Sequence, residues 1–298
     1  METSLVPLVT NTCAVVVTYF PDAGTISNLI QVQKQFASII IVDNTPKGSG
    51  LPALTRFSSV PAVDLIKNDR NEGLGKALNQ AAVLAIESGF LWMLTLDQDT
   101  VVHDDMFVTL AGIYESNVCN PPIIGSNYTD VSKNKQFFKC SSQANNEFIE
   151  RRTVITSGTL MRLDLFKRIG GFKEDYFIDS IDHEYCLRAR ASGYKVVMSC
   201  KNLMSHSIGH QNSRGSRMLA FDHPPIRKYY MARNTLVTVK RYFFREPRWA
   251  ICQLVRLFVE FFSIVLVEGE KREKGNAFCR GVIDGIKNNM GEMNQPDE

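Results

Sequence analysis

Four short apolar runs in the first hundred residues, each cut off by polar residues, constrain this chain more than any other feature. Ala14-Val15-Val16-Val17-Thr18-Tyr19 stops at the turn cluster Pro21-Asp22-Ala23-Gly24. Ile39-Ile40-Ile41-Val42 stops at Asp43-Asn44-Thr45-Pro46, and a third run spans about Val63 to Lys67. Leu91-Trp92-Met93-Leu94-Thr95-Leu96 stops at Asp97-Gln98-Asp99. Between them Ile26, Leu29, Ile30, Val32 and Phe36 fall at helical spacing, and residues 74–88 form a second helical stretch. Strands apolar throughout are covered on both faces, so the alternation predicts an α/β fold with a mainly parallel sheet and helices on both sides. Ligands of such sheets bind beyond the carboxyl ends of the strands. Thr18, Tyr19, Asp43, Asn44, Asn68 and the Asp97–Asp99 turn are therefore the first places to look for a site.

The pattern then loosens. Residues 118–150 are rich in Asn, Ser and Lys and read as a long excursion. Val154 to Arg162 reads as extended chain around Ser157-Gly158, followed by helices at 163–169 and 181–191 and a strand at 196–199. Residues 207–225, with Gly, Ser, Arg, His and paired Pro, read as a mobile loop, and the remainder as helical. A chain of 298 residues accommodates one large domain with an appendage. A net charge of +3 gives no reason to expect a nucleic-acid partner. The seven cysteines are odd in number and include no C-x-x-C pair, which disfavours a zinc ribbon or a disulfide framework and fits a reducing compartment. No Lys or Arg precedes Lys34, so the basic start of a signal peptide is missing, and the expectation is a cytoplasmic protein in which the Asn127-Tyr128-Thr129 sequon is idle.

Three clusters carry chemistry. Asp97-Gln98-Asp99 offers hard oxygen ligands for Mg²⁺ or Mn²⁺ if the chain bends there; otherwise it is a solvated turn whose carboxylates cap the helix at 104–117. Asn71-Glu72-Gly73-Leu74-Gly75-Lys76 with Asn79 is a glycine-rich helix start. It suits an anionic or polar ligand, or serves only the backbone, and it has neither P-loop nor dinucleotide spacing. Asp179-Ser180-Ile181-Asp182-His183-Glu184 opens another helix, where carboxylates either complement the macrodipole or supply a general base. Asp182 is the preferred base, and Glu184, pointing elsewhere around the helix, is assigned to orienting acceptor or backbone. His206 becomes a metal ligand only if the fold brings it to Asp99.

The C-terminal section is distinctive. Residues 227–248 hold seven basic residues against the single acid Glu246, so the rest of the chain is net acidic. In Trp249–Val267 the only polar residues are Gln253, Arg256, Glu260 and Ser263, at spacings that form one stripe on a helix. A transmembrane span is disfavoured, since each central charge costs ~2.5–3.5 kcal/mol on insertion scales. An interfacial helix on an anionic membrane surface and a helix packed on the main domain or a second subunit both fit, which leaves a dimer open.

In order along the chain, Val16-Val17-Thr18-Tyr19, Val42-Asp43-Asn44, Asn71-x-Gly73 with Asn79, Asp97-Gln98-Asp99, Gly170-Gly171-Phe172 and Asp182-x-Glu184 through Arg188 resemble the inverting glycosyltransferases of family 2. The D-Q-D form, Phe177-Ile178-Asp179 and Arg227-x-x-Tyr230-x-x-Arg233-Asn234 resemble the bacterial rhamnosyltransferase branch. The resemblance implies the GT-A fold, a Rossmann-like sheet with helices on both faces, over residues 1–225. The nucleotide-sugar half would be about 1–117 and the acceptor half about 118–225, with basic, amphipathic helices over 226–298.

It also implies roles. Asp43 would contact a pyrimidine base near Thr18 and Tyr19, Asn71, Gly73 and Lys76 would line the nucleotide side, and Asp97 with Gln98 would approach the ribose or sugar. Asp99 and His206 would hold a divalent metal, Asp182 would be the base, and Glu184 and Arg233 would belong to the substrate site. Arg227 to Arg233 would close over the donor diphosphate or face a membrane. The donor implied is dTDP-β-L-rhamnose, or another UDP- or dTDP-hexose. The acceptor implied is a glycan, free or linked to polyprenyl diphosphate, at the inner face of the membrane in surface-polysaccharide synthesis. A sugar nucleotidyltransferase is disfavoured because Tyr19-Phe20-Pro21-Asp22 stands where its glycine-rich loop would be. A non-catalytic carbohydrate- or membrane-binding protein is disfavoured by the retained aspartates.

Overall fold

The computed structural model describes residues 5–49, 52–117, 119–131, 135–140, 147–206 and 223–293. In chain order the strands and helices are β1 (Thr12–Thr18), α1 (Ala23–Gln33), β2 (Ile39–Asp43), α2 (Pro52–Phe57), β3 (Val63–Lys67), α3 (Leu74–Glu87), β4 (Trp92–Asp97), β5 (Val101–Val102) and α4 (Met106–Ser116). They continue as β6 (Ile123–Asp130), β7 (Lys135–Gln136), β8 (Phe148–Glu150), β9 (Thr159–Arg162), α5 (Leu163–Ile169), α6 (Ile181–Ala191), β10 (Val196–His206), α7 (Pro225–Tyr242), α8 (Pro247–Leu266) and α9 (Lys271–Lys287).

The sheet runs β3-β2-β1-β4-β9-β6-β10-β5, with β7 added to β6 and β8 to β10. The first four strands are parallel, as their unbroken apolar runs predict. Beyond β4 the sheet is mixed, because β9 enters antiparallel between β4 and β6 while β10 runs parallel to β6. Alternate residues of β1 serve two cores. Ala14 and Val16 pack with Leu29, Val32 and Phe36 of the α1 side and Leu110 of α4. Cys13 and Val15 pack with Ala77, Leu78 and Ala81 of α3 and with α5 and α6. The alanine stripe brings α3 close to the sheet, and each fully buried aliphatic residue contributes about 1.5–3 kcal/mol.

Three expectations change. The 118–150 excursion contains a fully paired strand, β6, whose Asn127 is buried, so the sequon offers no accessible amide. Its side chain donates to Phe138 O and Cys200 O instead. The strand expected at 196–199 continues to His206, with register shifts between Met198 and Met204. Seven single thiols are not what is found: Cys140 and Cys200 form a disulfide with Cα atoms 5.7 Å apart, beside five free cysteines. The expected loop at 207–225 lies outside the described residues except for 223–225, which lead into α7.

The C-terminal helices cover the far side of α6. Gly281 and Gly285 of α9 sit so close to α7 that a Cβ on Gly281 would meet Tyr229 O at 2.3 Å. Lys240 Nζ donates to Gly285 O and Ile286 O near the end of α9, where unsatisfied carbonyls attract a cation.

Candidate active site

Parallel pairing puts the ends of β1, β2, β3 and β4 in one row, with Thr18 opposite Asp43, Asp43 opposite Lys67 and Val17 opposite Asp97. Asp43 is buried at the floor of this rim. Its Oδ1 accepts from Thr18 Oγ1 at 3.0 Å, Thr45 Oγ1 at 2.6 Å and Thr45 N at 3.1 Å. A recess of about 720 Å³ opens here, lined among others by Asp43, Thr45, Lys47, Lys67 and Asn68.

The next turn is closed by Gln98. Its Oε1 accepts from Tyr19 N at 2.7 Å and its Nε2 donates to Tyr19 O at 3.1 Å, tying the end of β1 to the Asp97–Asp99 bend. Gln98 is therefore a clasp between two loops rather than a free substrate contact.

Asp97 and Asp99 do meet His206. The imidazole lies 3.8 Å from Asp97 Oδ2 through Nε2 and 3.5 Å from Asp99 Oδ1 through Nδ1. One ligand atom from each of the three residues falls within 4.8 Å of the others. Two carboxylate oxygens and one ring nitrogen suit a hard divalent cation such as Mg²⁺ or Mn²⁺. Neither aspartate caps α4, and Asp105, at that N-cap position, pairs with Lys201 instead. Sequence reading missed the supports of this group. Ser157 Oγ accepts from Asp97 N and shares a hydrogen bond with Thr100 Oγ1, which in turn reaches His206 Nδ1. Crowding by protein raises the Asp97 pKa to about 6; His206 opposes the rise, and the carboxylates of Asp99 and Asp182 add to it.

The charge of Asp182 thus acts on Asp97. Asp182 lies in the first turn of α6, and its Oδ1 accepts from His183 N at 2.8 Å. Beside it burial raises the pKa of Asp179, while the guanidinium of Arg227 opposes the shift from 3.3 Å. Arg227 also feels Asp97 and Asp99, so it brings positive charge to an otherwise acidic cleft. The acidic run 179–184 was legible, but the Asp179–Arg227 pair was not, since its members are 48 residues apart.

The segment leading to Asp182 is strained. Phe177, Asp179 and Ser180 all have φ near +60°, and Ile178 N donates to Tyr176 O across Phe177, a γ-turn of the rare positive-φ hand. Neighbours hold it there. Asn234 Nδ2 donates to the carbonyls of Tyr176, Ile178 and Asp179, and Arg233 Nη2 to those of Asp175 and Tyr176. Leu74 N donates to Phe177 O at 2.7 Å.

These contacts correct one assignment and give other expected site residues partners within the chain. Arg233 is fully buried and clamps this loop, so it is not available to substrate. Glu184 is also fully buried, between Arg188, Arg241 and Tyr242 Oη, while Arg188 donates onward to the carbonyls of Ile169, Gly170 and Gly171. The glycines at the start of α3 make room for the chain itself: a Cβ on Gly73 would meet Phe177 O and one on Gly75 would meet Lys173 O, each at 2.7 Å. Asn71 Oδ1 accepts from Gly73 N, and Lys76 pairs with Glu72 at 2.7 Å.

Comparison with known proteins agrees with this geometry. The chain is 27% identical over 290 residues to a dTDP-rhamnosyl transferase, RfbF, of Shigella flexneri, covering 93% of this chain and 96% of that protein. It superposes on S. aureus TarS 1-349 in complex with UDP-GlcNAc with a TM-score of 0.59 at 16% identity, covering 91% of this chain and 81% of the other. GalNAc-T7 with UDP, GalNAc and Mn²⁺ gives a TM-score of 0.57 at 14% identity, covering 74% of this chain and 48% of the other. Residues 14–170, more than half of the chain, match the sequence pattern of Glycosyl transferase family 2, and the chain belongs to that family.

Proposed function

We infer that the chain is an inverting glycosyltransferase that moves L-rhamnose from dTDP-β-L-rhamnose to a hydroxyl of a glycan in surface-polysaccharide synthesis. The observation that carries this reading is the meeting of Asp97, Asp99 and His206 at the end of the parallel strands, with the carboxylate of Asp182 near enough to add to the rise of the Asp97 pKa. The relative named a dTDP-rhamnosyl transferase supports the choice of donor.

In this reading the recess beside Asp43 takes the pyrimidine base, with Lys47 and Lys67 on its wall. Asp182, in the first turn of α6, removes the proton of the acceptor hydroxyl. The freed oxygen bonds to the anomeric carbon as the bond to the donor phosphate oxygen breaks, and the nucleoside diphosphate leaves with that electron pair. One displacement from the opposite face turns a β-donor into an α-linkage. A divalent cation held by Asp97, Asp99 and His206, Mg²⁺ or Mn²⁺, would supply electrostatic stabilisation of the diphosphate. Arg227, held by Asp179, adds a fixed positive charge on the same side. The acceptor assigned is a glycan on polyprenyl diphosphate, reached from the cytoplasmic side; the apolar helix α8 behind α7 supports that choice.

The test is a thermal-shift panel of nucleotide sugars with Mg²⁺ or Mn²⁺, because a ligand that binds only the folded chain raises its Tm. dTDP-L-rhamnose with metal should give the largest shift, and Asp99→Ala or excess chelator should remove the metal-dependent part. Equal shifts for all UDP- and dTDP-hexoses would overturn the donor assignment.

A further inference from the structure

Helix α8 is built inside out. Its polar stripe, except for the exposed Arg256, faces the protein. Gln253 is buried, Glu260 pairs with the fully buried Lys228 of α7, and Lys228 also reaches Glu268 at 2.7 Å, with Lys274 3.3 Å from the same carboxylate. The opposite face carries Ile251, Val255, Phe258, Val259, Phe262 and Leu266, all exposed, with Phe258 at 65% and Leu266 at 68% accessibility. At 100° per residue these six and Arg248 fall on one arc of the helix. Phe244, just before the helix, is 93% accessible.

A contiguous apolar face of this size on a chain of ordinary composition marks an interaction surface. Its charge pattern selects the occupant. Arg248 lies on the face at its first turn, Arg245 and Arg256 are exposed beside it, and Lys271 and Arg272 follow its far end. The arc holds no acid, so a second copy seated on it would offer Arg248 only apolar or basic neighbours. Anionic lipid headgroups offer the missing counter-charge, and acyl chains the missing apolar contact. We propose that α8 docks flat on an anionic bilayer, its phenylalanine face in the acyl boundary and its arginines among the headgroups. By length and composition the helix could also cross a membrane. Crossing would strip Glu260 from Lys228 and carry its carboxylate into the acyl region, so the helix lies on the surface. Lys228 directly follows Arg227, which faces the cleft, so the Glu260 half of the docked helix sits immediately behind the active-site end of α7.

The attachment is independent of the transfer reaction and is measured without donor or acceptor. The experiment is co-sedimentation of the full chain with large vesicles of phosphatidylcholine alone or mixed with phosphatidylglycerol at about 7:3. The chain should bind the mixed vesicles at least about tenfold more tightly than the neutral ones, with binding weakened by salt. Phe258→Asp with Phe262→Asp should lower that binding by about tenfold or more. Arg248→Ala with Arg256→Ala should lower it several-fold and flatten the salt dependence. These side chains point to solvent, so circular dichroism should report both variants folded. If the chain ignores both vesicles, or the phenylalanine variant binds as well as the parent, the proposal fails. It also fails if light scattering shows a dimer that Phe258→Asp dissociates, since a second copy then occupies the face.

Discussion

In the sheet, apolar residues face inward and polar residues gather at the rim; in α8 the arrangement is reversed. Both regions obey the same physics. The strands β1 to β4 bury both faces under helices, and the charged residues Asp97 and Asp99 collect, half-exposed, where the strands end and a ligand can solvate them, beside Asp43 buried among hydroxyl donors. Helix α8 instead turns its one acid, Glu260, toward α7 because Lys228 waits there as a partner, and leaves Arg248 and Arg256 outside with the apolar face. Burial is thus decided by what a side chain meets, not by its polarity alone. The consequence differs too: the sheet makes a charged cleft, and the C-terminal helices make an apolar outer surface.

The largest effect should come from the cleft. Asp182→Asn keeps the hydrogen-bonding shape of the side chain but removes its basicity. Turnover should fall by about 10²–10⁴, the usual worth of a positioned acid or base, with donor affinity by titration calorimetry unchanged. Turnover within a factor of about 3 of the parent would take Asp182 out of the mechanism.

The reversed region should show its dependence on charge next. Lys228→Met leaves Glu260 and Glu268 without their shared cation and should cost about 3–5 kcal/mol in urea unfolding. Adding Glu260→Met should recover part of that loss, because two apolar side chains replace a broken pair. No recovery in the double variant would mean that the pair does not set the orientation of α8.

These contrasts explain what was legible in the sequence. β1 to β4 could be read because strands buried on both sides are unbroken apolar runs. β6 could not, since Ser126, Asn127 and Asp130 are buried polar residues within it, and Asn127 finds its partners on other segments. The same limit applies to the site. Asp97, Asp99 and Asp182 announce themselves at strand and helix ends, whereas the Asp179–Arg227 pair is created only by tertiary folding. Arg233 shows the complementary limit: a charged residue in a motif looks free until its partners, the carbonyls of 175 and 176, are in place, whereas Glu184, holding Arg188 against the carbonyls of 169–171, fits the backbone-orienting half of its reading. Gly73 and Gly75 were readable as close-approach positions, but the backbone they admit is residues 173–177.

A smaller effect separates the two regions by packing. Gly281→Ala places a methyl against Tyr229 O, and α9 must shift away from α7 at a cost of about 1–3 kcal/mol. Gly112→Ala on α4, where a Cβ meets nothing within 4 Å, should be neutral or slightly stabilising by thermal unfolding. Equal effects at the two glycines would remove the claim that α7 and α9 are in closest approach there.

The smallest expected change is the sharpest check on the comparison. Leu94 and Phe258 are both apolar, but Leu94 is fully buried between β1 and β9 while Phe258 faces solvent. Leu94→Ala should cost about 2–5 kcal/mol, combining lost transfer energy and a cavity. Phe258→Gln should change stability by no more than about 0.5 kcal/mol, because only its exposed ring contact with Phe262 is lost. Both values come from one urea series on the lipid-free chain, where α8 has only its protein neighbours. A loss above about 2 kcal/mol at Phe258 would mean that the outer face of α8 is covered in solution, and the helix would then follow the same inward rule as the sheet.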